Sequence, residues 1–113
     1  MAEQLVGNTV LGLVALVKDR AVSPTEVVRA HLERIGAVDA SFGAFQVVCG
    51  DDALARAADL ERRRDLGDLP MAGVPVAIKD HVDVAGLPSR NGSLATSPSP
   101  RPADHPVVTR LRE

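Results

Sequence analysis

The stretch from Ala85 to Pro106 sets the tightest limit on what this chain can fold into. Gly86, Pro88, Ser89, Gly92, Ser93, Ser97, Pro98, Ser99, Pro100, Pro102 and Pro106 all fall within it. Proline removes backbone donors and glycine raises the entropy lost on ordering, so neither a helix nor a central strand fits there. A connection of that length inside a compact domain is either functional or disordered. Regular structure must come from the flanking residues.

Upstream, Val10, Leu13, Val14 and Val17 fall at helical spacing, with Asn8 or Thr9 as N-cap and Lys18 and Arg20 near the end. Ser23-Pro24-Thr25-Glu26 is a stronger start signal. It combines a capping serine, proline at the first helical position and glutamate three residues after the cap. Val28, Leu32 and Ile35 then line one face until Gly36. Phe45 to Cys49 is a short apolar run between glycines and reads as a strand. Asp51 or Asp52 caps a further helix through Ala53, Leu54, Ala57, Ala58 and Leu60 to near Gly67, its charged tail Glu61–Asp65 being a solvated last turn. After the turn Leu69–Gly73, the β-branched run Val74–Ile78 reads as a buried strand. Beyond the loop, Asp104 caps a helix whose apolar face begins with Val107, Val108 and Leu111, and the sequence ends at Glu113.

The order α, α, β, α, β, loop, α predicts an α/β fold with a mixed sheet sandwiched between helices. Two strands alone do not make a stable sheet with both faces covered. The helix opening near Glu113 has no closing turn, so a truncated chain is expected. With two Phe and neither Tyr nor Trp among 113 residues, the core must be built from Val, Leu, Ile and Ala, and part of it is expected elsewhere.

Chemistry concentrates in Gly73-Val74-Pro75-Val76-Ala77-Ile78-Lys79-Asp80-His81-Val82-Asp83-Val84-Ala85-Gly86-Leu87-Pro88, followed by Asn91-Gly92-Ser93. A lysine at the end of a buried strand is desolvated. Desolvation disfavours the ammonium form and makes the amine a proton acceptor. Val76-Ala77-Ile78-Lys79 also matches the strand lysine of protein kinases. No G-x-G-x-x-G loop precedes it, which excludes that reading.

The lysine stretch resembles the amidase signature family, as do the helix Ser23–Ile35 and the segment Asp104–Glu113. The similarity runs from about Thr9 to Glu113. It implies that residues 1–113 are the N-terminal part of a single amidase domain. That part would comprise a helical hairpin at about 9–36, a β-α-β unit at about 44–79, an active-site loop at about 80–106 and the start of a helix at 106–113. The resemblance further implies cleavage of carboxamide C–N bonds by a Ser-cisSer-Lys triad with Lys79 as its lysine. In that scheme the lysine acts through a bridging serine on the nucleophilic serine, and an acyl-enzyme forms. The family's two serines and its oxyanion-hole glycines lie in a later segment. Ser89, Ser93, Ser97 and Ser99 have the wrong context to replace them, so the chain alone is expected to be inactive. His81 stands where relatives commonly show Asn. The loop after Lys79 looks more like general amidases than tRNA-dependent amidotransferase subunits.

The implied partner is a small-molecule amide substrate, and no metal or organic cofactor is implied. The acyl pocket is left open to aliphatic, aromatic, peptide and tRNA-linked amides. The alternative is a non-catalytic truncated product or interaction module that folds only with a complementary chain, and self-association of an incomplete sheet is expected. Asp80, His81 and Asp83 do not form a metal cluster, because neighbouring side chains on an extended segment point to opposite sides. His31 and His105 read as helix residues, Asn91-Gly92-Ser93 as a turn, and the single Cys49 as a small buried hydrophobe. A net charge of -2 gives no pull toward nucleic acid or anionic membrane. The apolar stretch Leu5–Val17 is too short to span a bilayer. A soluble, cytoplasmic protein is expected.

Overall fold

The capping box at Ser23 forms as its residue types dictate. The Ser23 hydroxyl accepts the Glu26 N–H (3.1 Å), and Glu26 Oε2 accepts the Ser23 N–H (2.8 Å). In the computed structural model, which describes residues 2–113, this box starts the longest helix. The helices are α1 (Ala2–Val6), α2 (Val10–Lys18), α3 (Pro24–Phe42), α4 (Gly50–Glu61) and α5 (Pro106–Arg112), with a 3-10 turn at Leu66–Asp68. The chain divides into two units, one running to Pro75 and the other Val76–Glu113.

In the first unit α3 packs against α1 and α4, while α2 lies against the 3-10 turn. Leu5, Leu13, Val17, Val22, Val27, Ala30, Leu66 and Ala72 form its core, flanked by Val6, Leu16, Leu60, Leu69 and Val74. The core is built without an aromatic ring, from Leu, Val and Ala side chains. Thr9 caps α2 by accepting the Gly12 N–H (3.0 Å). At its other end the Arg20 N–H donates to Val17 O and the Ala21 N–H to Leu16 O, with Arg20 left-handed at φ 55. That is a Schellman closure carried by a residue other than glycine. The Thr25 N–H donates to Glu61 Oε1 (2.9 Å), tying the end of α4 to the start of α3. Bonding to Thr25, first through its side chain and then its backbone, holds the Glu61 carboxyl below its ordinary value.

Several expectations are corrected. No β-strand forms among the described residues. Phe45–Cys49 and Val74–Ile78 carry no regular secondary structure, and the β pairing found among the described residues is an isolated parallel bridge between Ala85 and Arg101. A strand exists only as part of a ladder, and a lone parallel pair is too weak to hold one. Val47, Val48 and Val76 are left about half exposed, at 51%, 49% and 49%. Helix α3 does not stop at Gly36 but runs to Phe42. Gly43, at φ 62, closes it, and the Asp39 carboxylate accepts the Ala44 N–H (2.8 Å) beyond it. One mid-helix glycine costs about 1 kcal/mol, too little to break a well-capped helix. Helix α4 starts at Gly50 and ends at Glu61, short of Gly67. Asp51 and Asp52 sit in its first turn, where they suit the positive end. Cys49 is the N-cap residue of α4 and is exposed rather than buried. Among the described residues no helix is long and apolar enough to cross a membrane.

Candidate active site

Lys79 follows the irregular run Val74–Ile78, and its side chain is exposed. Among the described residues no hydrogen bond or ion pair engages its amine. The desolvation expected there needs covering surface that these residues do not supply. The backbone around it is held more firmly. The Lys79 carbonyl accepts the Val82 N–H (2.9 Å), making a tight turn over Asp80 and His81. Asp80 is braced through its carboxylate, whose Oδ1 accepts the Arg90 N–H (3.2 Å), and through its carbonyl, which accepts the Asn91 N–H (3.3 Å). Asp80 Oδ2 is buried and takes no hydrogen bond among the described residues.

The Gly/Pro/Ser-rich loop is ordered by its carboxylates rather than by regular structure. Asp83 Oδ1 accepts the Ser89 hydroxyl (2.6 Å), and Oδ2 pairs with the Arg101 guanidinium (2.9 Å). The Asp83 carbonyl accepts the His105 N–H (2.8 Å). The Ser89 hydrogen bond, then the Arg101 contact, holds the Asp83 carboxyl below the usual carboxylate range. Asp104 Oδ1 accepts the Ala85 N–H (2.8 Å), and its other oxygen pairs with Arg112. Asp104 therefore does not cap α5. His105 does, its Nδ1 accepting the Val107 N–H (3.1 Å). A loop that lacks a ladder still has to satisfy its N–H groups, and short acidic side chains do so locally.

Asn91 and Gly92 are both left-handed, at φ 52 and 69, and the Ser93 N–H closes onto Arg90 O (2.9 Å). That is the expected turn, in the primed geometry Asn-Gly favours. The Arg90 side chain crosses it to Thr96 Oγ1 (3.1 Å).

Among the described residues no serine hydroxyl is hydrogen-bonded to Lys79. Ser89 is bound to Asp83, Ser93 Oγ accepts the Ala95 N–H, and Ser97 Oγ accepts the Ser99 N–H. The described residues hold no group of three or more His, Cys, Asp or Glu side chains placed to bind a metal ion. His81 is exposed, and His31 is half-buried on α3, its Nδ1–H donating to Val27 O (2.7 Å). Sequence reasoning missed the Asp83–Ser89–Arg101 cluster. Its one sequence signal was an acidic residue within a run of Gly, Pro and Ser, where backbone donors lack partners. The site therefore presents one exposed amine on a braced turn.

The model of the Amidase family matches residues 26–113. The chain is 40% identical over 111 residues to a glutamyl-tRNA(Gln) amidotransferase subunit from Acidothermus cellulolyticus, covering 96% of this chain and 22% of that protein. It is 44% identical over 103 residues to the subunit of the same name from Salinispora tropica, covering 89% of this chain and 20% of that protein. It is also 40% identical over 105 residues to a Mycobacterium tuberculosis protein named as an amidase, AmiA2, covering 92% of this chain and 22% of that protein. Identity alone does not separate the two kinds of relative. The chain thus spans about a fifth of the length of the curated relatives it matches. No solved structure matches it.

Proposed function

The chain belongs to the amidase family, and from that membership we propose that it is the lysine-bearing part of an enzyme that cleaves carboxamide C–N bonds. Lys79 is the base of a Ser-cisSer-Lys triad, and the two serines come from sequence outside these 113 residues. The observation that carries this reading is the braced turn. Lys79 stands exposed on backbone whose neighbours are tied down by Val82, Arg90 and Asn91, while among the described residues its amine meets no partner. An amine free to meet an incoming hydroxyl, on a fixed backbone, is what a nucleophile-activating base needs.

Burial by the added segment displaces water from Lys79, favours the neutral amine and lets it take a proton through the bridging serine. The same segment supplies further strands, so that Phe45–Cys49 and Val74–Ile78 enter a mixed sheet. The substrate is a small amide, and the amidotransferase relatives extend the class to transfer of the released amide nitrogen to an acceptor. No cofactor takes part. The 113-residue chain alone is inactive.

The test is Lys79→Ala and Lys79→Arg in an amide-hydrolysing polypeptide that carries this segment. Both should lose turnover by about 10²–10⁴-fold, the usual weight of a positioned base, with the helical content intact. Arginine keeps the positive charge but cannot give up its proton. Substantial hydrolysis by either variant would remove Lys79 from the mechanism.

A second reading, a non-catalytic module that folds onto a complementary chain, is favoured by the exposure of Phe42 (78%), Val47 and Val48. If no serine-bearing partner segment restores amide hydrolysis, that reading takes precedence.

A further inference from the structure

We propose that Asp83 is a positioning residue for Lys79: it holds the lysine turn in place by binding Ser89 and Arg101 with one carboxylate. This role rests on Lys79 being the base and adds the residue that fixes where that base can reach. The Lys79 side chain is exposed and takes no hydrogen bond among the described residues, so its backbone decides the region its amine can reach.

That backbone is a short turn. Lys79 O accepts the Val82 N–H, and Asp83 is the next residue. At Asp83 three separate stretches meet. Ser89 reaches Oδ1 (2.6 Å), Arg101 reaches Oδ2 (2.9 Å), and the His105 N–H reaches the carbonyl (2.8 Å). Arg101 is itself fixed, because its carbonyl accepts the Gly86 N–H and its N–H donates to Leu87 O, both at 2.9 Å. Asp83 therefore joins the downstream end of the lysine turn to the frame of the loop.

The ion pair is partly open to water, with side-chain exposures of 48% for Arg101 and 33% for Asp83. Pairs of that kind add little to global stability. What the contact supplies is orientation, and a shift of about 1 Å in a catalytic group costs on the order of a hundredfold in rate.

The variant is Asp83→Asn, which keeps the volume and an acceptor for Ser89 but removes the charge facing Arg101. In an amide-hydrolysing polypeptide carrying this segment, kcat should fall about a hundredfold with KM little changed. Arg101→Gln attacks the contact from the other side and should give the same loss, with the double variant no worse than either. In a Lys79→Ala background, Asp83→Asn should bring no further loss in the residual hydrolysis of an activated ester, since it acts only through that lysine. Full activity of Asp83→Asn, or an equal loss with and without Lys79, overturns the positioning role. Full activity of Lys79→Ala sinks the base assignment instead, so the two failures are distinct. In the 113-residue chain, Asp83→Asn should speed amide exchange at Val82 several-fold while Val27 in α3 is unchanged. Unchanged exchange at Val82 also overturns the proposal.

Discussion

Replacing Gly73 with alanine tests the packing at the start of the lysine segment. Gly73 is buried, holds φ +82, and a Cβ built on it meets Val17 Cγ2 at 3.2 Å and Pro24 Cγ at 3.4 Å. The left-handed backbone costs an alanine roughly 1–2 kcal/mol. Pressing a methyl onto Val17, itself only 1% exposed, adds about 1 kcal/mol of overpacking. The sum, about 2–3 kcal/mol, lowers the melting temperature of a unit this size by about 10–20 °C. Gly36 provides the opposite sign within the same unit. It is mid-helix with nothing within 4 Å of its Cβ position, so Gly36→Ala should stabilise by about 0.5–1 kcal/mol. Gly86 shares the φ of +82 but also has nothing within 4 Å, so Gly86→Ala isolates the backbone cost. Thermal melts by far-ultraviolet circular dichroism suit the first unit, and amide exchange suits the second. A Gly73→Ala chain that melts at or above the parent temperature would refute both the left-handed turn and its packing on α2.

Arg20→Gly should stabilise α2 by about 1 kcal/mol, because glycine takes the left-handed C′ position without strain. Chemical denaturation is the check, and a loss of stability would count against the Schellman closure. The Asp83 carboxyl is held below its ordinary 3.8 by Ser89 and Arg101, so its contribution is complete above that value. It is lost as the pH falls through the lowered one. Backbone chemical shifts at Ser89 and His105 should therefore change together on acidification below about 3.8, and a transition centred above that value would contradict the contact. Exposed Phe42, Phe45, Val47, Val48 and Leu94 should make the 113-residue chain self-associate with rising concentration, and a concentration-independent monomer in sedimentation would dismiss this.

The features legible in the sequence are those decided over a few residues. Thr9 and Ser23 announce their helices because a cap needs only a side-chain oxygen and an N–H two or three residues on. Asn91-Gly92 announces its turn because few residues accept a left-handed φ. The lysine stretch and the family follow from residue identities in order, and the match over residues 26–113 includes them. The strands failed for the opposite reason. Phe45–Cys49 and Val74–Ile78 carry the right side chains, but a ladder requires a neighbour that no local pattern specifies. Only the tertiary structure showed that Asp83 reaches Ser89 and Arg101, and that His105 rather than Asp104 caps α5. Asp83 meets Arg101, and Asp104 is drawn away from the cap to Ala85, across a loop without periodicity, where the arrangement is set by which groups still need a partner.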